Sequence, residues 1–238
     1  MSVEQALAQF KETEGGESFR LQNSKLLKVE LADVTIQAKL GSMVAYQGDV
    51  RFEHAGSGGV SRMIKKAMTS EGMDLMKVSG SGEVFLADMA QEIQLLKLED
   101  DRITANGANV LAFDAGIDWD IKRVEGASSA LAGGLFNMEL GGTGWVALVS
   151  DGPPVLIEVD GEQTFADPQA AITWSSGLST SIKTDANLKT FIGRASGETI
   201  QMSFSGSGWL LIQPSEGRVS ATGSGGAKGA LGNLLGGG

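Results

Sequence analysis

Val78-Ser-Gly-Ser-Gly-Glu-Val-Phe-Leu86, Leu140-Gly-Gly-Thr-Gly-Trp-Val-Ala-Leu148 and Phe204-Ser-Gly-Ser-Gly-Trp-Leu-Leu-Ile212 are near-copies of one another. Their second glycines, Gly82, Gly144 and Gly208, lie 62 and 64 residues apart. Apolar residues recur at fixed offsets from that glycine. Met76, Met138 and Met202 stand six before, and Val78, Leu140 and Phe204 four before. Val84, Val146 and Leu210 stand two after, and Leu86, Leu148 and Ile212 four after. A fixed period of this kind marks a repeat architecture. Every shared offset is even, so these residues occupy one face of an extended chain, with Lys77, Ser79 and Ser81 opposite in the first copy. Period two with β-branched and aromatic residues predicts strand. The pairs Gly80 and Gly82, Gly142 and Gly144, and Gly206 and Gly208 are expected to be structural, each marking a kink or corner where another backbone comes close.

Two further elements recur upstream. Val44-Ala-Tyr46, Leu111-Ala-Phe113 and Ile172-Thr-Trp174 precede Gly48, Gly116 and Gly177. Strand-like runs at Leu26–Leu31, Ile93–Leu98 and Val155–Val159 open each unit and end in polar turns such as Glu99-Asp100-Asp101. Short insertions of helical or loop character fall at Val60–Met68, Ala127–Leu135 and Ala186–Ala195. The expected fold is all-β, with three tandem, similar, β-sandwich-like subdomains in a pseudo-threefold arrangement. Residues 1–23 form an acidic lead-in, 24–88, 89–151 and 152–214 the three units, and 215–238 a glycine-rich tail expected to be mobile in isolation. A unit of about sixty residues is marginal alone, so the units should share a core.

Composition narrows the function classes. The absence of cysteine removes thiol catalysis, thiolate metal sites and disulfides. The first twenty residues carry Glu4, Glu12, Glu14 and Glu17 and no apolar core segment, unlike a secretory signal or a transit peptide. No apolar run approaches the roughly 20 residues needed to span a bilayer. A cytoplasmic location is the expectation. With 19 basic against 29 acidic residues and a net charge of −10, nucleic-acid binding is disfavoured, because that affinity rests on neutralising phosphates.

Candidate chemistry is sparse. His54, the single histidine, precedes a Gly/Ser loop and reads as a loop-edge residue rather than a catalytic base. One histidine and no thiols offer no common zinc site, and no metal or organic cofactor is expected. The Gly-x-Gly copies run on into more strand, whereas a phosphate-binding fingerprint opens a helix. Asp100, Asp101, Asp114, Asp118, Asp120, Asp160 and Glu162 fall at turns or alternating strand positions, where a solvated face is the ordinary reading. Asp118 and Asp120 flank a Trp119 expected to be buried. Val60–Met68 is the one short basic amphipathic segment, presenting Arg62, Lys65 and Lys66 as a surface for an acidic protein partner or for peripheral contact with anionic lipid.

The ordered motifs resemble a known family. Gly41-Ser-Met-Val-Ala-Tyr-Gln-Gly48, Gly58-Gly59 before a basic segment, and Ser79-Gly-Ser-Gly-Glu-Val-Phe-Leu-Ala87 look like its first unit. Leu140-Gly-Gly-Thr-Gly-Trp-Val146, then Ser196-Gly-Glu198 and Phe204-Ser-Gly-Ser-Gly-Trp209, look like the later two. This is the altered-inheritance-of-mitochondria twenty-four family, widespread in bacteria and named for a fungal mitochondrial member. The resemblance covers about residues 24–214 and implies three similar β subdomains like the subunit of the tryptophan RNA-binding attenuation protein. It implies no established activity and no catalytic residues. The leading functional reading is a non-enzymatic β scaffold that forms homo-oligomers or binds another protein. The alternative is a small-ligand or carbohydrate-binding module using Trp119, Trp145, Trp174 and Trp209. The placement of the four tryptophans separates the two.

Overall fold

The computed structural model describes residues 2–54, 75–123, 136–184 and 200–215. The chain begins with one short helix, α1 (Val3–Leu7), capped by Ser2, whose side chain accepts from the Gln5 N–H, and a 3₁₀ turn at Ala8–Phe10. Fourteen strands follow among the described residues. They are β1 (Phe19–Asn23), β2 (Leu26–Lys39), β3 (Met43–His54), β4 (Leu75–Leu86), β5 (Glu92–Asn106), β6 (Val110–Asp114) and β7 (Asp118–Arg123). The second half comprises β8 (Phe136–Ser150), β9 (Val155–Asp160), β10 (Thr164–Ala166), β11 (Ala171–Ser175), β12 (Ser179–Thr184), β13 (Ile200–Ser205) and β14 (Ser207–Ile212).

Every pairing is antiparallel, and the glycine-bearing strand lies at the centre of each group. β4 is flanked by β2, from Leu27↔Leu86 to Lys39↔Leu75, and by β3, from Met43↔Leu86 to His54↔Met76. β8 has β5 on one side, with β6 and β7 sharing the other. β14 lies between β9 and β11, and β13 between β10 and β12. The chain is thus all-β and antiparallel.

The groups do not stand apart as separate sandwiches. β2 pairs with β6 through Ile36↔Asp114, Gln37↔Phe113 and Ala38↔Ala112, and β5 pairs with β11 through Ile103↔Ser175, Thr104↔Trp174 and Ala105↔Thr173. These two seams fuse most strands into one 11-stranded sheet in the order β3-β4-β2-β6-β8-β5-β11-β14-β9, with β1 beside β2 and β7 beside β8. Among the described residues, only β10-β13-β12 forms a sheet of its own. The physical reason is the unpaired edge: a short group of strands leaves donors and acceptors open, and the next group in the chain pairs with them.

The acidic lead-in also contributes to the body. β1 lies within residues 1–23, pairs with β2 from Phe19↔Val29 onward, and buries Phe19 in the first core cluster. The three insertions at 60–68, 127–135 and 186–195 and the tail beyond Ser215 lie outside the described residues.

The glycine corner of β4 is a close approach. In β4, Gly80 and Gly82 have φ of +119° and +153°, and a Cβ on either would run into a backbone carbonyl of β3, that of Asp49 and of Gln47 respectively. Gly48 of β3 pairs with Gly82 and has φ of +92°. Two backbones therefore cross where no side chain fits between them. In β8, Gly144 (φ +153°) lies against the Asp114 side chain, whereas Gly142 (φ +114°), and Gly206 (φ +121°) where β13 gives way to β14, leave ordinary space for a Cβ.

Candidate interaction surface

Several interior polar groups are satisfied within the fold. Asp114, at the end of β6, accepts from the Trp145 N–H through Oδ2 at 2.6 Å, and Ser175, at the end of β11, accepts from the Trp209 N–H through Oγ at 3.0 Å. Each satisfies the amide that follows a corner glycine, Gly144 or Gly208. Burial pushes the Asp114 carboxyl above its ordinary range, against the opposing pull of the Trp145 hydrogen bond. Lys28 on β2 is 2 % exposed and sits between two carboxylates, with Nζ 2.8 Å from Glu12 and 2.5 Å from Glu83. Burial opposes its charge, but the two acids outweigh that effect and hold its pKa above the lysine value of 10.5. Both sites are internally satisfied, and neither brings a nucleophile to a base.

The remaining carboxylates are scattered. Asp118 is exposed on β7, and Trp119 beside it is half-buried against the second core cluster rather than buried as expected, with Asp120 half-buried as well. Among the described residues, no group of three His, Asp or Glu side chains is placed to hold a metal. His54 is the last residue of β3, and Arg62, Lys65 and Lys66 lie outside the described residues. No described helix is long and apolar enough to cross a membrane.

Of the four tryptophans, Trp174 is buried and Trp119, Trp145 and Trp209 are half-buried. Trp174 is buried in the third cluster, edge-on to Phe204 at 5.3 Å between ring centroids. Trp145 packs on the first cluster, under the Lys97 ammonium at 5.4 Å, and Trp119 and Trp209 pack on the second. The four rings are thus divided among three clusters and form no single platform.

The surface carries its signal at the two ends of the array. On β3, Met43, Val44 and Tyr46 are exposed, Val44 by 60 % and Tyr46 by 50 %. Their counterparts by pairing with the glycine strand, Leu111 and Phe113 on β6 and Ile172 and Trp174 on β11, are at most 2 % exposed. At the other end, Val155 and Leu156 on β9 and Phe165 on β10 are exposed. Sequence reading marked Val44-Ala-Tyr46 as a recurring element but did not single it out as surface, because its residue pattern matches the two buried copies.

Comparison with known proteins follows the same lines. A family model described as "AIM24: Mitochondrial biogenesis AIM24" matches residues 19–215. No curated protein matches significantly. Among solved structures, the X-ray crystal structure of a Streptococcus pyogenes protein superposes with a TM-score of 0.66 at 24 % identity, covering 82 % of this chain and 91 % of that one. At that identity the likeness bears on the fold alone.

Proposed function

The chain belongs to the mitochondrial biogenesis AIM24 family, and from that premise we propose that it is a non-enzymatic β scaffold, acting in the cytoplasm by self-assembly and by binding a protein partner. One observation carries this reading. Met43-Val-Ala-Tyr-Gln47 is an uncharged, largely apolar sheet edge exposed on a chain of net charge −10. Monomeric proteins blunt such edges with charge, proline or a covering element.

A threefold organisation belongs to the same proposal. Measured from the second glycine, Ile36↔Val78, Ile103↔Leu140 and Thr164↔Phe204 are corresponding pairs, as are Ala38↔Met76, Ala105↔Met138 and Ala166↔Met202. The register around each glycine strand supports three copies of one three-stranded unit. The carbohydrate-module alternative draws no support from the dispersed tryptophans. Light scattering across micromolar concentrations tests the assembly half: a homo-oligomer is expected, and a strictly monomeric mass refutes it. Affinity capture from the native organism with mass spectrometry tests the partner half, where a specific, stoichiometric protein is the expected result and background alone the refuting one.

A further inference from the structure

Lys11-Glu-Thr-Glu-Gly-Gly-Glu-Ser18, between the 3₁₀ turn and β1, forms neither helix nor strand, and each of its residues is exposed. The body nonetheless holds it along its length. The Gln22 side chain accepts from the Thr13 N–H at 2.6 Å and donates to the Thr13 carbonyl at 3.5 Å. Arg20 donates through Nη1 to the carbonyls of Gly15, at 2.8 Å, and Glu17, at 3.4 Å. The Glu30 N–H donates to the Ser18 carbonyl at 2.8 Å. Two carboxylates complete the attachment, Glu12 on Lys28 at 2.8 Å and Glu17 on Lys97 at 3.3 Å. Between these anchors Gly15 and Gly16, both at positive φ, bend the segment.

Every one of these contacts reaches a main-chain group or a carboxylate. Main-chain hydrogen bonds hold an extended peptide whatever its side chains, and the side-chain contacts set what is selected. Here the selection is for two glutamates five residues apart.

The receiving face is cationic and aromatic on a chain of net charge −10. Arg20 lies directly opposite Lys28 in the β1–β2 ladder, a like-charge pair that disfavours a sheet unless acids offset it. Their side chains are only 12 % and 2 % exposed. Lys28 lies 5.6 Å from the centre of the Phe85 ring and Lys97 5.4 Å from that of Trp145. The body supplies Glu30 to Arg20 and Glu83 to Lys28, whereas the acid on Lys97 comes from the segment itself. Arg20 Nε is buried without a hydrogen-bond partner among the described residues.

A segment that buries none of its residues adds little to the core, and exposed ion pairs are individually weak. Its tether to β1 keeps it in place by holding it at high effective concentration. We infer that this face is a docking site for an extended acidic segment of a partner protein, occupied in cis by residues 11–18. This rests on the protein-partner half of the scaffold reading and gives that partner a site. The occupant is acidic because Lys28 and Lys97 are the anchors, and extended because Gln22 and Arg20 clamp its main chain. A partner enters by exchanging contact for contact with the tethered copy, so its apparent affinity is set by that competition.

The probe is a dye-labelled, acetylated peptide of sequence Lys-Glu-Thr-Glu-Gly-Gly-Glu-Ser, read by fluorescence anisotropy against the full chain. Glu12→Gln with Glu17→Gln weakens the tethered copy and leaves Arg20, Gln22, Lys28 and Lys97 in place. This double variant should bind the probe about tenfold more tightly than the wild type. Adding Lys97→Gln should reverse the gain, and a probe with glutamine at both anchor positions should bind neither protein. Saturating probe should also raise hydrogen exchange over residues 11–18 of the wild type, because the tethered copy is displaced. Equal binding to wild type and double variant, binding of the glutamine probe, or unchanged exchange overturns the site. Circular dichroism and melting temperature establish that the double variant is folded. If it is not, Glu17→Gln alone removes a pair exposed on both sides and should tighten binding about threefold. Absence of probe binding to the folded variant overturns this site alone, and the scaffold reading is then decided by light scattering and affinity capture.

Discussion

Gly82→Ala probes the β3–β4 crossing most directly. The added methyl meets the Gln47 carbonyl oxygen, a backbone atom that cannot rotate away, at a residue with φ of +153°. Backbone strain at such a position costs roughly 1–3 kcal/mol. Displacing the carbonyl weakens strand hydrogen bonding by about 1 kcal/mol more. Together these give about 2–4 kcal/mol, or about 5–15 °C in Tm for a domain of this size. Gly206→Ala is the internal control. It too has positive φ, at +121°, but its Cβ meets nothing closer than the Leu178 side chain at 3.5 Å. The conformational cost is common to both, so the difference isolates the clash. Differential scanning calorimetry should place Gly82→Ala below Gly206→Ala by at least about 1 kcal/mol, or about 2–4 °C. Equal melting temperatures would show that the β3 carbonyl yields freely and would refute a rigid crossing.

Two further perturbations concern the interior charges. Asp114 holds its proton more tightly when folded than the ordinary value of 3.8, so between 3.8 and its raised folded pKa the native state binds more protons than the unfolded chain. Its ionisation penalty is fully present above that window and is relieved as pH falls through it. In urea titrations, the stability of wild type minus that of Asp114→Asn should therefore be constant near neutrality and rise as pH drops toward 4; a flat difference would contradict it. Glu83→Gln leaves buried Lys28 with Glu12 as its one charged partner, and should cost about 1–3 kcal/mol, below the cost of a fully buried pair because Glu83 is partly solvated. The pair's contribution in the wild type is complete below 10.5 and fades as pH rises through the raised Lys28 pKa. Wild type and variant should thus converge in alkaline urea titrations, and a separation that persists would exclude the charge pair as its source.

The corners were legible because glycine at an even offset inside an alternating strand has few explanations other than a kink or a close approach. Trp119 was legible only in part: it packs on the second cluster, but half-buried, and Asp120 is half-buried with it. Longer-range events left no local trace. Pairing of Ile36 with Asp114 joins residues 78 positions apart, and nothing near Ile36 announces a partner. Lys28 alternates as a solvated residue would, and only Glu12 and Glu83, brought in from distant segments, permit its burial. Phe19-Arg-Leu-Gln-Asn23 was absorbed into the acidic lead-in because five residues among glutamates and glycines give too short a pattern to separate strand from loop. Val44 and Tyr46 carry the composition of a buried strand, and it is their place at the end of the array that exposes them.

The position of the glycine strand within each group has a consequence for synthesis. β2 and β3 follow one another across Leu40–Ser42 but do not pair; both wait for β4, which starts at Leu75. β5, β6 and β7 likewise await β8, and β9 to β12 await β13 and β14. On a ribosome that delivers residues from the N-terminus, each group's template emerges last, after the strands that need it. For every group there is then an interval in which apolar strands have left the exit tunnel without their central partner. That interval closes when the kinked strand arrives and pairs on both sides.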